Sequence, residues 1–208
     1  MCSIVGSFDI DRLRQLAELN AYRGTHSHSL YAFDSDKKVV YSHRSFGGLD
    51  INKHAIETNS NLYFVAHQQA PTTDAKSVDS IHPAQVQDTL LWHNGIIKED
   101  DVIRLKDELL SDEVWDTKLM LLNYLKSGSV DNIDGTFSCL LYNENKLHLF
   151  RNEISPMFYN EQGDISSTKF EGGQPTSPNF IIEFEPFDDD LMTLRNQFVT
   201  KENPYFFM

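Results

Sequence analysis

The chain has 208 residues and carries 18 Lys and Arg against 31 Asp and Glu, which gives a formal net charge of −13. This charge disfavours nucleic acid as a partner, because binding to a phosphate backbone depends on Lys and Arg. The apolar runs are far shorter than the roughly 20 residues of a membrane helix, and the first residues do not resemble a secretion signal. Two cysteines cannot build a disulfide framework. We therefore expect one cytoplasmic domain over residues 2–208.

The first half of the chain predicts strands around one helix. Residues 3–8 favour a strand, and Asp9 can cap a helix with apolar residues at a spacing near 3.6, which should end at Gly24. Further strands are predicted at 29–34, 39–43, 62–66 and 89–92. Because the last two do not alternate between apolar and polar residues, we expect them to be buried on both faces.

The second half predicts two consecutive helices and then more strands. The helices span 100–110 and 113–126, and Gly128 should end the second. Their apolar stripes are Val102, Ile103, Leu109 and Leu110 in the first, and Val114, Leu121, Leu122 and Leu125 in the second. Strands are predicted at 136–143 and 146–150, as a hairpin, and at 180–184. Strands on both sides of a helix pair indicate layered sheet and helix packing.

Cys2 is the first residue with a specific chemical interpretation. If Met1 is removed, this residue carries both a thiol, with a pKa of about 8.5, and a free α-amino group, with a pKa of about 8. The amino group could then act as the general base for its own thiol near neutral pH. A cysteine near the start of a cytosolic chain is also common without any catalytic role.

Six polar or glycine-bearing segments follow Cys2 in order. They are RGTHS at 23–27, AHQQAPT at 66–72, WHNGII at 92–97, WDT at 115–117, DGTF at 134–137 and FRNEISPMFY at 150–159. Over residues 2–168 this series resembles the class II glutamine amidotransferases, the cysteine branch of the N-terminal nucleophile hydrolases. The resemblance implies an α+β fold of four layers, αββα, in which two antiparallel sheets pack face to face between helices. It implies no metal, nucleotide or flavin cofactor.

The resemblance also implies a role for individual residues. Cys2 would attack the side-chain amide of glutamine or an analogue, forming a thioester and releasing ammonia. The other roles are an oxyanion hole for Asn94 and Gly95, substrate binding for Asp116, Gln69 and Thr72, and organisation of the site for Arg23 and His67. Simpler interpretations remain open: Asn94-Gly95 as a turn, Asp116 as a surface carboxylate and His67 as a core histidine.

The sequence departs from the family pattern at its substrate-binding residues. Gln69 stands where the family has the arginine that binds the glutamine carboxylate, and a neutral amide should weaken that contact by about 1 to 3 kcal/mol. His26, His28 or Arg44 could supply the missing charge instead. The chain leaves no room for a synthase domain, so we expect a stand-alone amidohydrolase whose ammonia is released or passed to a separate synthase.

Three alternatives compete with this hypothesis. The first is a non-catalytic binding or regulatory module on the same fold. The second is a metal protein in which His26 and His28 bind zinc together with His67 or His93 and an acidic residue. The third, and weakest, is a cysteine protease of the papain kind. Cys139, inside a predicted strand, is expected to be a small core residue.

Overall fold

The computed structural model describes residues 2–54, 61–70 and 77–200. Its strands are β1 Ser3–Ser7, β2 Ser27–Phe33, β3 Val39–Phe46, β4 Tyr63–Gln69, β5 Ala84–Val86, β6 Thr89–Ile97, β7 Gly135–Asn143, β8 Lys146–Arg151, β9 Phe158–Tyr159, β10 Ile165–Ser166, β11 Gln174–Pro175, β12 Phe180–Phe184 and β13 Met192–Gln197. Its helices are α1 Ile10–Asn20, α2 Glu99–Leu109 and α3 Asp116–Ser127, with short 3-10 turns at Ala21–Arg23, Ile51–Lys53 and Val78–Ser80.

The strands form two antiparallel sheets. The first has the order β11-β9-β10-β1-β4-β2-β3 and the second the order β13-β12-β8-β7-β6-β5. One core cluster joins them face to face, with Ile4 and Tyr31 from the first sheet against Trp92 and Leu140 from the second. Further clusters cover the outer faces with α1 on the first sheet and with α2 and α3 on the second. The predicted four-layer αββα sandwich is confirmed.

Local signals set the ends of two helices as predicted. The Asp9 carboxylate caps α1 by accepting hydrogen bonds from the backbone N–H of Asp11 and of Arg12, at 2.8 and 3.3 Å. Gly128 ends α3 in the left-handed conformation. No helix among the described residues combines the length and the apolar character needed to cross a membrane.

The apolar stripes predicted for α2 and α3 are partly wrong. Leu110 lies beyond the end of α2 in a left-handed conformation and is 94% exposed, and Val114 precedes α3 and is 74% exposed. Ile103 and Leu125 are also exposed. Periodicity alone could not locate the break between the helices, because apolar residues continue through it.

Candidate active site

Cys2 lies immediately before β1, at the middle of the first sheet. β1 has β4 on one side and β10 on the other. Ile4 points into the core between the sheets, and side chains alternate along a strand, so Cys2 is aligned with the same inner face. The thiol is buried, with Sγ 3.9 Å from the carbonyl oxygen of Ala70.

Arg23 and Gly24 fix the backbone around this thiol. Arg23 is buried and its Nε donates a hydrogen bond to the Cys2 carbonyl oxygen at 2.9 Å. A Cβ atom on Gly24 would lie 2.3 Å from the backbone nitrogen of Ala70 and 2.4 Å from the carbonyl carbon of Gln69. The Arg23-Gly24 pair therefore joins the start of β1 to the end of β4. Position 24 requires glycine because the backbone at the end of β4 lies too close for a Cβ atom.

Asn94 and Gly95 lie within β6, so the interpretation of this pair as a turn was wrong. β6 approaches β1 across the space between the sheets. The Trp92 side chain faces this space, and Asn94 lies two residues later on the same strand, so its side chain is on the same face. The Asn94 amide Nδ2 donates to Ser138 Oγ at 3.3 Å. Because this amide carries two hydrogens, the bond to Ser138 uses one of them.

Gly95 cannot be replaced by a residue with a side chain without moving the sheet. Its φ is +155°, and an added Cβ would stand 1.8 Å from the carbonyl oxygen of Thr136 on β7. The backbone of β7 therefore passes so close to Gly95 that no side chain fits at this position. This explains structurally why glycine follows Asn94 in the sequence.

Burial raises the pKa of the Cys2 thiol. The contact with the Ala70 backbone, the N-terminal positive charge and Arg23 act in the opposite direction, whereas the negative charge of Asp116 raises the pKa further. The thiol form is therefore favoured at neutral pH in this state. Nucleophilic attack by Cys2 would need a base to take its proton, which is the role expected for the α-amino group.

Asp116 is the first residue of α3 and is partly buried. Its Oδ2 accepts a hydrogen bond from the backbone N–H of Ile97 at 3.2 Å, and its Oδ1 accepts one from the N–H of Thr117 at 2.7 Å. Among the salt bridges of the described residues, none involves Asp116. These contacts hold its carboxylate at the end of β6, beside the Asn94-Gly95 segment.

Gln69 is buried at the end of β4, and the register of β1 with β4 places it beside Cys2. Its Oε1 accepts a hydrogen bond from Ser27 Oγ at 3.3 Å and one from His82 Nδ1 at 3.2 Å. The amide is thus held within the protein. Thr72, predicted to line the pocket, lies outside the described residues.

Of the three proposed replacements for the family's arginine, His26 lies next to Gln69, because its backbone N–H donates to the Gln69 carbonyl oxygen at 3.0 Å, whereas His28 and Arg44 lie apart from Gln69 or are already bonded. His28 follows the alternation of Leu30, which packs on the outer face of the first sheet, whereas Cys2 belongs to the inner face. Arg44 donates to Tyr31 Oη at 2.9 Å and also contacts neutral oxygens of Ile81 and Gln85.

Behind the site, His67, His82 and His93 form what we call the interior histidine cluster. All three are buried, and the rings of His67 and His82 stack with centroids 4.3 Å apart. His67 Nε2 donates to the His93 carbonyl oxygen at 3.1 Å. Burial lowers the pKa of each ring, that of His67 to about 3, so all three are neutral at pH 7.

Thr117 connects this cluster to the predicted site. Its hydroxyl lies 3.0 Å from His82 Nε2, 3.0 Å from His93 Nδ1 and 3.3 Å from Asp116 Oδ1. Because His82 also contacts Gln69, His82 and Thr117 lie between Gln69 and Asp116, and the single hydroxyl hydrogen of Thr117 is donated either to His82 Nε2 or to Asp116 Oδ1. Sequence reasoning missed His82 and Thr117, although Thr117 adjoins Asp116 in the WDT segment.

The zinc ligands considered from the sequence are not brought together. His26 precedes β2 and does not alternate with His28 on one strand, and its ring packs against Phe46. His67 pairs with Ser29, so it points to the face of the sheet opposite to that of His28. The spacing of two residues between His26 and His28 was misleading because the strand begins at Ser27.

Two solved structures share this fold. One is a glutamine phosphoribosylpyrophosphate amidotransferase from B. subtilis complexed with ADP and GMP, with a TM-score of 0.67, 14% sequence identity and coverage of 94% of this chain and 49% of that one. The other is described as the allosteric regulatory enzyme of purine biosynthesis, with a TM-score of 0.68, 15% identity and coverage of 94% and 48%. The chain therefore spans about half the length of each.

No family model matches the sequence, and no curated protein matches it either. At 14 to 15% identity, the two solved structures establish the fold of this chain. The roles predicted for the site residues, from Cys2 to Asp116, rest on the motif resemblance and on the geometry described above.

Proposed function

We propose that this chain is a class II glutamine amidotransferase-type amidohydrolase that uses Cys2, exposed by removal of Met1, as an N-terminal nucleophile. The observation that carries the proposal is the convergence on the inner faces of the two sheets. Cys2, with its carbonyl fixed by Arg23, lies at the start of the central strand, and Asn94-Gly95 lies on the strand that approaches it. The fold shared with a glutamine amidotransferase supports the same reaction class.

The reaction starts with transfer of the Cys2 thiol proton to the α-amino group. Sγ then attacks the amide carbon, and the resulting oxyanion is stabilised by the Asn94 side chain and the backbone N–H of Gly95. The carbon–nitrogen bond breaks, the ammonium returns its proton to the leaving nitrogen, and ammonia departs from a thioester. Water hydrolyses the thioester to a carboxylate and restores the thiol.

Asp116 and Gln69 set the substrate class. Asp116 supplies a negative charge for the α-ammonium of a glutamine-like molecule, whereas the neutral Gln69 amide is held by Ser27 and His82. The substrate is therefore glutamine, a γ-glutamyl compound or another carboxamide that does not depend on a charged contact to its carboxylate. The ammonia is released or passes to a separate synthase.

A turnover assay tests this proposal. Ammonia release from glutamine, γ-glutamyl amides and simple carboxamides is measured with the wild type, Cys2→Ala and Cys139→Ala. Cys139 is the matched control because it is a free, fully buried thiol in the outer core of the second sheet. We expect turnover by the wild type and by Cys139→Ala, and its loss in Cys2→Ala with the fold retained. Turnover that persists in Cys2→Ala would refute the mechanism.

A non-catalytic binding module on the same fold is the second candidate. The buried, internally bonded Gln69 favours it, because the site offers no arginine there for a free amino acid. This candidate predicts that the chain binds a carboxamide without releasing ammonia and that Cys2→Ala binds it with unchanged affinity.

A further inference from the structure

A second group of histidines, which we call the outer histidine cluster, lies away from Cys2. It consists of His28, His43 and His54, whose nearest ring nitrogens all lie within 4.8 Å of one another. The rings of His43 and His54 have centroids 4.8 Å apart, and each lies 6.0 Å from His28. Neither the predicted active site nor the shared fold accounts for this grouping.

Strand register brings these three rings together. His28 on β2 is followed two residues later by Leu30, which packs on the outer face of the first sheet, and Leu30 pairs with His43 on β3. His28 and His43 are therefore diagonal neighbours on that outer face. His54 follows the 3-10 turn Ile51–Lys53, and Ile51 anchors this turn in the same outer core cluster.

Hydrogen bonds orient two of the rings so that one nitrogen of each remains available. His28 Nδ1 donates to the Gly47 carbonyl oxygen at 2.9 Å, and His54 Nδ1 lies 2.8 Å from Tyr41 Oη. The Nε2 atoms of both rings are left for a ligand. Histidines that bind metal ions are commonly oriented in this way, by a hydrogen bond from the other ring nitrogen to a carbonyl or similar group.

Zinc–nitrogen distances of about 2.0 to 2.1 Å correspond to ring nitrogens about 3.4 Å apart in a tetrahedral site. The cluster therefore needs small side-chain movements to enclose an ion.

A cavity of about 300 Å³ opens on this cluster, and its wall includes Ser45, Asp50 and Lys53 besides the three rings. Asp50 and Lys53 form an ion pair at 3.3 Å, so the charge of this lysine is partly balanced. Three imidazoles and an open fourth position match the ligand count of zinc sites that keep one position for water or a substrate. Packing of aromatic rings is the simpler explanation that a test must exclude.

We propose that His28, His43 and His54 bind one divalent transition-metal ion, with Zn²⁺ as the best match, and leave a fourth coordination position open to the cavity. The proposal is independent of the proposed amidohydrolase activity, because His28 lies on the face of the first sheet opposite to Cys2.

Metal titration of the full chain, purified without a histidine tag and stripped with a chelator, tests the proposal. Zn²⁺ affinity is measured by competition with a chromophoric chelator for the wild type, His43→Gln, His54→Gln and His148→Gln. His43 is exposed, so its replacement should leave the fold intact. His148 on β8 of the second sheet is the matched control.

We expect one Zn²⁺ per chain in the wild type and in His148→Gln. His43→Gln and His54→Gln should bind Zn²⁺ more than about 100-fold more weakly than the wild type. Replacing a residue that only hydrogen-bonds to a metal ligand already costs about 10- to 100-fold in affinity. Co²⁺ bound in place of zinc should show ligand-field absorption without a sulfur charge-transfer band, which excludes Cys2 as the ligand. Absence of stoichiometric binding, or equal affinity in His43→Gln and the wild type, would overturn the proposal.

Discussion

The two histidine clusters use the same side chain in opposite ways. In the interior cluster of His67, His82 and His93, every ring is buried and forms at least one hydrogen bond to the surrounding protein. In the outer cluster of His28, His43 and His54, the rings line an open cavity and include an exposed member. The interior rings act as polar parts of the core, whereas the outer rings are open to a cavity.

The difference shows that proximity of histidines does not by itself indicate a ligand site. His82 has both nitrogens occupied, one by Gln69 and one by Thr117, so it has none for a metal ion. His28 and His54 each have one nitrogen bonded to the protein and one left over. His67 Nδ1 also lacks a hydrogen-bond partner, but it is buried, so what distinguishes the clusters is whether the unsatisfied ring nitrogens face an open cavity.

Replacing one ring in each cluster by leucine should separate them most strongly. His82→Leu removes one partner from Gln69 Oε1, which keeps Ser27 Oγ, and one from Thr117 Oγ1, which keeps His93 Nδ1, at about 0.5 to 1.5 kcal/mol for each lost hydrogen bond. We expect a loss of about 1 to 3 kcal/mol in the free energy of unfolding. The exposed His43→Leu should stay within about 0.5 kcal/mol of the wild type. Urea unfolding in chelator measures both, and equal losses would contradict the comparison.

Acidification should destabilise the protein through the interior cluster. The pKa of His67 is lowered to about 3 in the fold against about 6.5 in the unfolded chain, so below pH 6.5 the unfolded state binds more protons. The contribution of neutral His67 to stability is therefore complete above pH 6.5 and declines as the pH falls towards 3. Between pH 7 and pH 5 the wild type should lose about 2 kcal/mol more than His67→Gln. Parallel losses in urea unfolding at the two pH values would refute this.

Removing the Thr117 hydroxyl tests the link between the interior cluster and the predicted site. Thr117→Val keeps the shape of the side chain but removes the atom shared by His82, His93 and Asp116. We expect a loss of about 1 to 2 kcal/mol in the free energy of unfolding. Thr117→Ser, which keeps the hydroxyl, is the control. If the serine and valine variants were equally destabilised, the lost packing and not the hydrogen bonds would explain the effect.

We expect the smallest effect on folding from removal of the Tyr41 hydroxyl, which contacts the outer cluster. Tyr41→Phe removes the group that bonds His54 Nδ1, but the ring remains packed against the outer core. The melting temperature of the metal-free protein should change little, whereas Zn²⁺ affinity should fall about 10-fold or more. A large loss of stability with unchanged Zn²⁺ affinity would assign Tyr41 a purely structural role.

Much of the fold could be predicted because its signals are local. The Asp9 cap, the Gly128 end of α3 and the hairpin of β7 and β8 follow from residues within a few positions of each other. The four-layer arrangement came from the motif resemblance, since composition and periodicity would not have distinguished it from other layered folds. The break between α2 and α3 was misplaced because apolar residues cross it.

The contacts that depend on long-range pairing could not be predicted. His82 reaches Gln69 across 13 positions and Thr117 across 35, and no motif contains all three residues. The outer cluster likewise depends on the register of β2 with β3 and on the turn before His54. Sequence spacing paired His28 with His26, because it could not show that β2 begins between them.

The central claim is that Cys2 is the nucleophile, and covalent labelling tests it most directly. The purified chain is incubated with a glutamine-mimicking diazo-ketone, and intact mass and peptide mapping identify the modified residue. We predict that Met1 is absent, that one label is attached to Cys2, and that Cys139→Ala is labelled as the wild type is. Retention of Met1 with an unlabelled Cys2 would contradict the account.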